Sequence, residues 1–147
     1  MFEGSFIARL FVVVQFISFL FLILSGPWIV EEWWLLISEI LGILLGITAI
    51  WQMKTGNFNI TPVPKPNGKL ITHGVYSVIR HPMYLAQLLV VGSMVIELHS
   101  RLRVIVLMIL VVNLLFKLNY EESRLVKHFK GYEKYKQTSW RLIPFIY

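Results

Sequence analysis

The sequence predicts an all-α fold: a polytopic integral membrane bundle of about four transmembrane helices with a helical C-terminal arm. Three observations predict it. Hydrophobic residues make up 56% of the 147 and aromatic residues 14%, with a mean hydropathy of +0.68, far from a soluble domain's balance. Four apolar runs compare with the ~20 residues that cross a bilayer core. The charged residues fall mostly between and after those runs. Cysteine is absent, which excludes disulfides, thiolate zinc sites and a cysteine nucleophile. The net charge of +6 sits in membrane-flanking segments, so it suits anionic headgroups, and no nucleic-acid partner is expected.

The first run, 6–24, carries one charge, Arg9, close enough to its end to snorkel. Ser25-Gly26-Pro27 gives no small-x-small pattern, so no cleaved signal peptide is expected. The second run, 28–53, opens with Glu31, Glu32 and the Trp33-Trp34 pair of an interfacial belt. Within it, Gly42 and Gly46 form a Gly-x-x-x-Gly pair, read either as intrachain packing or as a homodimer seam. Gly56, Pro62, Pro64, Pro66 and Gly68 then predict a loop across 54–76. The third span covers about 77–98: its apolar run begins near Pro82, and the shortness of that run allows either a helix start at Pro82 or an earlier one within 75–80. The fourth covers 102–118 with a helical pattern continuing toward Phe129, and the arm occupies 119–147. One membrane domain is expected, since neither flank is large enough for a soluble core.

Cytoplasmic flanks carry excess lysine and arginine. With the N-terminus inside, Arg9, four cations at Lys54, Lys65, Lys69 and Arg80, and seven from Lys117 to Arg141 share the cytoplasmic side. Only Arg101 and Arg103 face out. The predicted topology therefore places both termini in the cytoplasm.

The segment His73-Gly-Val-Tyr-Ser-Val-Ile-Arg-His-Pro-Met-Tyr84 concentrates polarity at the mouth of the third span. Proline lacks an N–H and suits the first helical turn, with the residue before it biased toward extended backbone. Pro82 then leaves free amides and a positive dipole end, a receptor for a carboxylate. The plainer reading makes Arg80 and His81 headgroup anchors and Tyr76 and Tyr84 an aromatic belt. Lys117 and Glu121 leave the fourth span on the same side, four residues apart on one helix face. They form either an ordinary ion pair or, with the Pro82 helix start, a cradle for a zwitterionic ligand. His99 and His128 are isolated, so no metal site is expected.

The run Gly68-Lys-Leu-Ile-Thr-His-Gly-Val-Tyr-Ser-Val-Ile-Arg-His-Pro-Met-Tyr84, then Glu121-Glu122, then Tyr132, Tyr135 and Ile143-Pro144-Phe145 resembles the isoprenylcysteine carboxyl methyltransferase family and its phospholipid N-methyltransferase relatives. The resemblance covers residues 68–147. It implies an S-adenosylmethionine-dependent methyltransferase with its cofactor between the last two spans and under the arm. Carried over, Gly68, Lys69, Leu70 and Ile71 would line the cofactor through backbone contacts and Tyr76 would close on it. His81, Pro82, Met83 and Tyr84 would form the pocket wall, and Glu121 would accept cofactor hydrogen bonds. Lys117 stands where carboxyl methyltransferases of the family tend to carry a substrate-facing arginine, so Lys117 or Arg80 would position an anionic substrate. A lysine keeps that charge but loses the bidentate fork. Two further departures are the shortened Phe129-Lys130-Gly131-Tyr132 and His73 in place of a small residue.

Methyl transfer from a sulfonium is an in-line displacement, so the protein must chiefly align the groups and exclude water. Tyrosine faces add a cation–π attraction of roughly 0.5–2 kcal/mol. The expected acceptor is lipidic or isoprenoid, with a carboxylate favoured over an amine; an amine must first lose a proton, for which His81 or Glu122 is the candidate base. The alternatives are a phospholipid or amine N-methyltransferase, an NADPH-dependent membrane reductase of related fold, and a non-enzymatic adaptor whose basic tail binds anionic lipid.

Overall fold

A computed structural model describes residues 3–57, 62–64 and 67–147, with side chains at 6–53, 62–64 and 67–147. Lys65 and Pro66 of the expected loop lie outside the described residues. The chain forms α1 (Glu3–Leu24), α2 (Trp33–Asn57), a 3-10 turn (Gly74–Ser77), α3 (Pro82–Glu97), α4 (Arg101–His128) and α5 (Tyr132–Gln137). Phe6–Leu24, Trp33–Met53 and Arg101–His128 are long and apolar enough to cross a membrane, and α3 is shorter. At 1.5 Å per residue α3 spans roughly 24 Å, less than the ~30 Å hydrocarbon core. The architecture is a helical membrane bundle.

Helix α3 packs chiefly on α2 and also touches α1 and α4, while α1 pairs with α4. Leu22, Val91, Leu110, Leu114 and Leu118 fill the core between α1, α3 and α4. The outward faces expose Phe16, Ile17, Leu41, Ile47, Met108 and Phe116, as suits contact with lipid tails. Helices in lipid associate by close packing, since the tails are as apolar as leucine. Gly42 supplies that closeness: a Cβ there would stand 2.9 Å from the Ala86 carbonyl on α3. A Cβ on Gly46 would meet the Ala86 Cβ at 3.5 Å. The glycine pair thus serves packing within the chain.

Three boundaries differ from the sequence expectation. The second helix starts at Trp33, because residues 25–32 make the reversal that begins at Ser25-Gly26-Pro27, and the Val30 amide donates to Glu39 Oε2 at 3.3 Å. It ends at Asn57 rather than before 54, because Gly56 falls in the final turn, where frayed backbone makes glycine inexpensive. The third helix starts at Pro82, not near 77. His81 takes φ −122°, ψ 57°, and the strand-like stretch before it pairs with the arm, with Ile79 and Trp140 forming a parallel bridge. Gly74 precedes that stretch at φ +61°, and a Cβ there would clash with the Gln52 side chain.

Candidate functional site

The ends of α2, α3 and α4 and the arm meet at one end of the bundle. Val75 N donates to Gln52 Oε1 at 2.9 Å, and Tyr76 Oη donates to the Ala49 carbonyl at 3.3 Å, fixing the 3-10 turn on α2. Tyr135 Oη donates to the Tyr76 carbonyl, fixing the arm on the same turn. Between these elements opens a cleft.

Of the residues singled out from the sequence, Gly68, Lys69, Leu70, Ile71, Tyr76, Arg80, His81 and Glu121 line the cleft. Pro82, Met83, Tyr84 and Lys117 do not. Pro82 is buried in the first turn of α3. Tyr84 acts one layer behind: its Oη donates to Glu121 Oε2 at 2.6 Å, and its ring stacks on His81 with centroids 5.3 Å apart. His81 Nδ1 lies 3.7 Å from Glu121 Oε2 and Nε2 lies 3.5 Å from Glu122 Oε1, so the imidazole sits between two carboxylates.

Both cations proposed to hold an anion are engaged elsewhere. Arg80 Nε meets Glu122 Oε1 at 2.7 Å, and its Nη1 donates to the Lys136 carbonyl at 3.1 Å and to the Ser139 carbonyl. Lys117 Nζ lies deeper in the bundle, donating to Gln15 Oε1 at 2.6 Å and sitting 5.2 Å from the Tyr84 ring centroid. Gln15 in turn donates to Gln87 Oε1 at 2.7 Å, so polar contacts join α1, α3 and α4 below the cleft. The i,i+4 spacing places Lys117 on the same side of α4 as Glu121, but burial among α1 and α3 decides its partners.

Several contributors were not among the assigned site residues. Glu122 is the hub of the arm's attachment, since Arg141 Nη2 also approaches its Oε2 at 3.0 Å. Adjacent helix positions differ by about 100°, so Glu121 faces the cleft and Tyr84 while Glu122 faces Arg80 and Arg141. Tyr132 and Tyr135 line the cleft from α5. Their spacing of three was visible in the sequence, and the family resemblance put the arm over the cofactor without assigning these two tyrosines a contact. Gln15 had no signal beyond a lone amide in an apolar run.

Burial raises the phenol of Tyr76 above the ordinary tyrosine range, with Glu121 adding to it, and burial likewise raises Tyr132, helped by Glu122. Tyr135 is pushed up to about 12, again chiefly by burial. The three phenols are therefore neutral around the cleft at physiological pH. Tyr132 Oη is buried and has no hydrogen-bond partner among the described residues, leaving one donor beside the cleft unused.

A family model described as phospholipid methyltransferase matches residues 33–131, which takes in α2, α3 and α4 and stops before α5. Neither the curated proteins nor the solved structures yield a match.

Proposed function

The chain belongs to the phospholipid methyltransferase family and is a membrane methyltransferase, and on that premise we propose that it methylates the amine of a lipidic acceptor in the cytosolic headgroup layer, using S-adenosylmethionine held in the cleft. The observation that carries this reading is the Glu121 carboxylate, braced by Tyr84 at 2.6 Å and facing the cleft beside His81.

The cleft's chemistry fits the cofactor. Tyr132 Oη is a buried polar atom still lacking a partner, Glu121 accepts hydroxyl or ammonium donors, and the 68–71 backbone offers amides and carbonyls. When bound, S-adenosylmethionine supplies an electrophilic methyl group on a sulfonium. Tyr76, Tyr132 and Tyr135 present neutral aromatic faces to a cation and exclude water.

The amine is favoured because Arg80 is neutralised by Glu122 and Lys117 lies behind the cleft, so that the polar wall, besides Lys69, holds the Glu121 carboxylate next to the His81 imidazole. An ammonium binds to a carboxylate and must shed a proton before its nitrogen becomes a nucleophile. His81, between Glu121 and Glu122, would take that proton, imidazole being suited to general-base work. Arg80 then positions the arm rather than the substrate. A carboxylate acceptor is the second reading, supported by the Lys117 ammonium over the Tyr84 ring. The cytosolic placement of this end is supported by the cations at Lys69, Arg80 and along the arm.

Purified protein in membranes, incubated with methyl-labelled cofactor, tests the assignment. The label is expected in the lipid fraction and stable to mild base, as a methylamine is. Base-labile label would identify an ester and transfer the assignment to the carboxylate. Absence of any transfer across amine and carboxylate lipids would remove the proposal.

A further inference from the structure

The arm ends in a closed turn whose chemistry the methyl-transfer reading does not use. Leu142 N and Ile143 N both donate to the Tyr147 carbonyl, at 2.8 and 3.0 Å, and Tyr147 N donates back to the Ile143 carbonyl at 3.0 Å. Closing the turn forces Phe145 into the left-handed region, at φ 65°, where L residues are strained. The turn holds two large apolar side chains outward, Phe145 84% exposed and Ile146 77% exposed. The half-exposed Trp140 ring lies 5.8 Å from that of Phe145, extending the patch.

Two observations place this patch against the bilayer. Leu142 is buried in the bundle core with Tyr84 and Leu118, so the turn emerges directly beside the spanning helices. The Trp140 backbone pairs with that of Val78 and Arg80, just ahead of α3, and the Val78 side chain is itself half-exposed. Immediately beside it, Lys136, Ser139, Trp140, Arg141 and Tyr147 line a shallow hollow above the buried Arg80–Glu122 pair; Lys136 also reaches Glu133 at 3.5 Å and Arg141 reaches Glu122 at 3.0 Å, and the exposed Lys130 and Lys134 precede the hollow in the arm. A bulky apolar tip flanked by cations is the combination that an anionic headgroup layer accommodates: rings and aliphatic groups enter the interface while ammonium and guanidinium groups meet phosphate.

We propose that the 140–147 turn and the basic hollow beside it form a docking surface for anionic phospholipid, seating the arm in the headgroup layer. Because Arg80 and Trp140 tie the arm to the cleft wall, lipid contact also holds the cover of the cleft in place. This surface stands independently of the methyl-transfer assignment, since it involves neither Glu121 nor His81.

The chain has no cysteine, so Phe145→Cys carries a nitroxide at a unique position. The labelled full chain is placed in bilayers of phosphatidylcholine with and without phosphatidylglycerol, and its accessibility to oxygen and to a water-soluble relaxant is read by electron spin resonance. The expected result is a label favouring oxygen, deeper when phosphatidylglycerol is present, with the anionic-lipid increment lost in Lys134→Gln/Lys136→Gln. Ile146→Cys repeats the reading if labelling at 145 disturbs the turn. A label equally open to water in both bilayers would overturn the proposal, as would equal depth in both. If inorganic phosphate added to phosphatidylcholine bilayers reproduced the deepening, the hollow would be a free-phosphate site and the lipid assignment would fall.

Discussion

Arg80 Nε and Glu122 Oε1 meet at 2.7 Å, with side-chain exposures of 6% and 5%. Forty-two residues apart in sequence, they join the approach to α3 to the C-terminal turns of α4. The guanidinium also grips the arm through the Lys136 and Ser139 carbonyls, so one ion pair secures three segments around the cleft.

Breaking that pair on one side leaves a buried charge without its partner, which costs about 3–5 kcal/mol. Glu122→Gln is therefore expected to loosen the arm before the bundle. Hydrogen exchange should accelerate across 132–142 while α1 and α2 keep their protection, and methyl transfer should fall by roughly the hundredfold that ~3 kcal/mol represents. Uniform loss of protection throughout the bundle would contradict the arm-specific role.

Tyr84→Phe removes the donor to Glu121 while keeping the ring that stacks on His81. A hydrogen bond to a charged group is worth about 1.5–3 kcal/mol. We expect the melting temperature to fall with that loss, and S-adenosylmethionine affinity, measured calorimetrically in detergent, to weaken by at least roughly tenfold as Glu121 loses its orientation. Unchanged affinity would separate Glu121's orientation from cofactor binding.

The two glycines of α2 should respond differently to alanine. At Gly42 the new Cβ would meet the Ala86 carbonyl and Val90 Cγ2, both at 2.9 Å, so α2 and α3 must part, at an overpacking cost of ~1–3 kcal/mol. At Gly46 the 3.5 Å contact is ordinary, and alanine's better helix propensity can stabilise by up to about 1 kcal/mol. Thermal unfolding of the two single variants should shift in opposite directions. Equal destabilisation would show that Gly46 is also needed for close approach.

Alkaline pH should weaken the cleft through its phenols. Burial raises Tyr135 to about 12 in the folded chain against ~10 when unfolded, so the folded state holds this proton more tightly. That stabilising contribution is complete below the unfolded value and declines as pH climbs toward the folded one. Unfolding midpoints are expected to fall above about pH 10, with a shallower fall in Tyr135→Phe even though that variant starts lower for want of the bond to the Tyr76 carbonyl. Identical alkaline slopes would exclude Tyr135 as a contributor.

The membrane class, three of the long apolar helices and the cluster around Tyr76, His81 and Glu121 were legible in the sequence because each is written locally. Hydropathy over ~20 residues encodes a span, and Pro82 encodes a helix start through its missing N–H. What Arg80 and Lys117 bind was not legible. Both are cations at a span end, equally suited to an anionic ligand until their neighbours are known, and those neighbours come from elsewhere in the chain: Glu122 and the arm for one, Gln15 of α1 for the other. The Glu121-Glu122 pair shows the same division. Sequence alone determined that two acids leave α4 together, whereas the rotation of α4 against α3 decided that one faces the cleft and the other anchors the arm. Short-range periodicity and backbone chemistry determine the elements. Partners brought together across tens of residues are decided only when those elements pack.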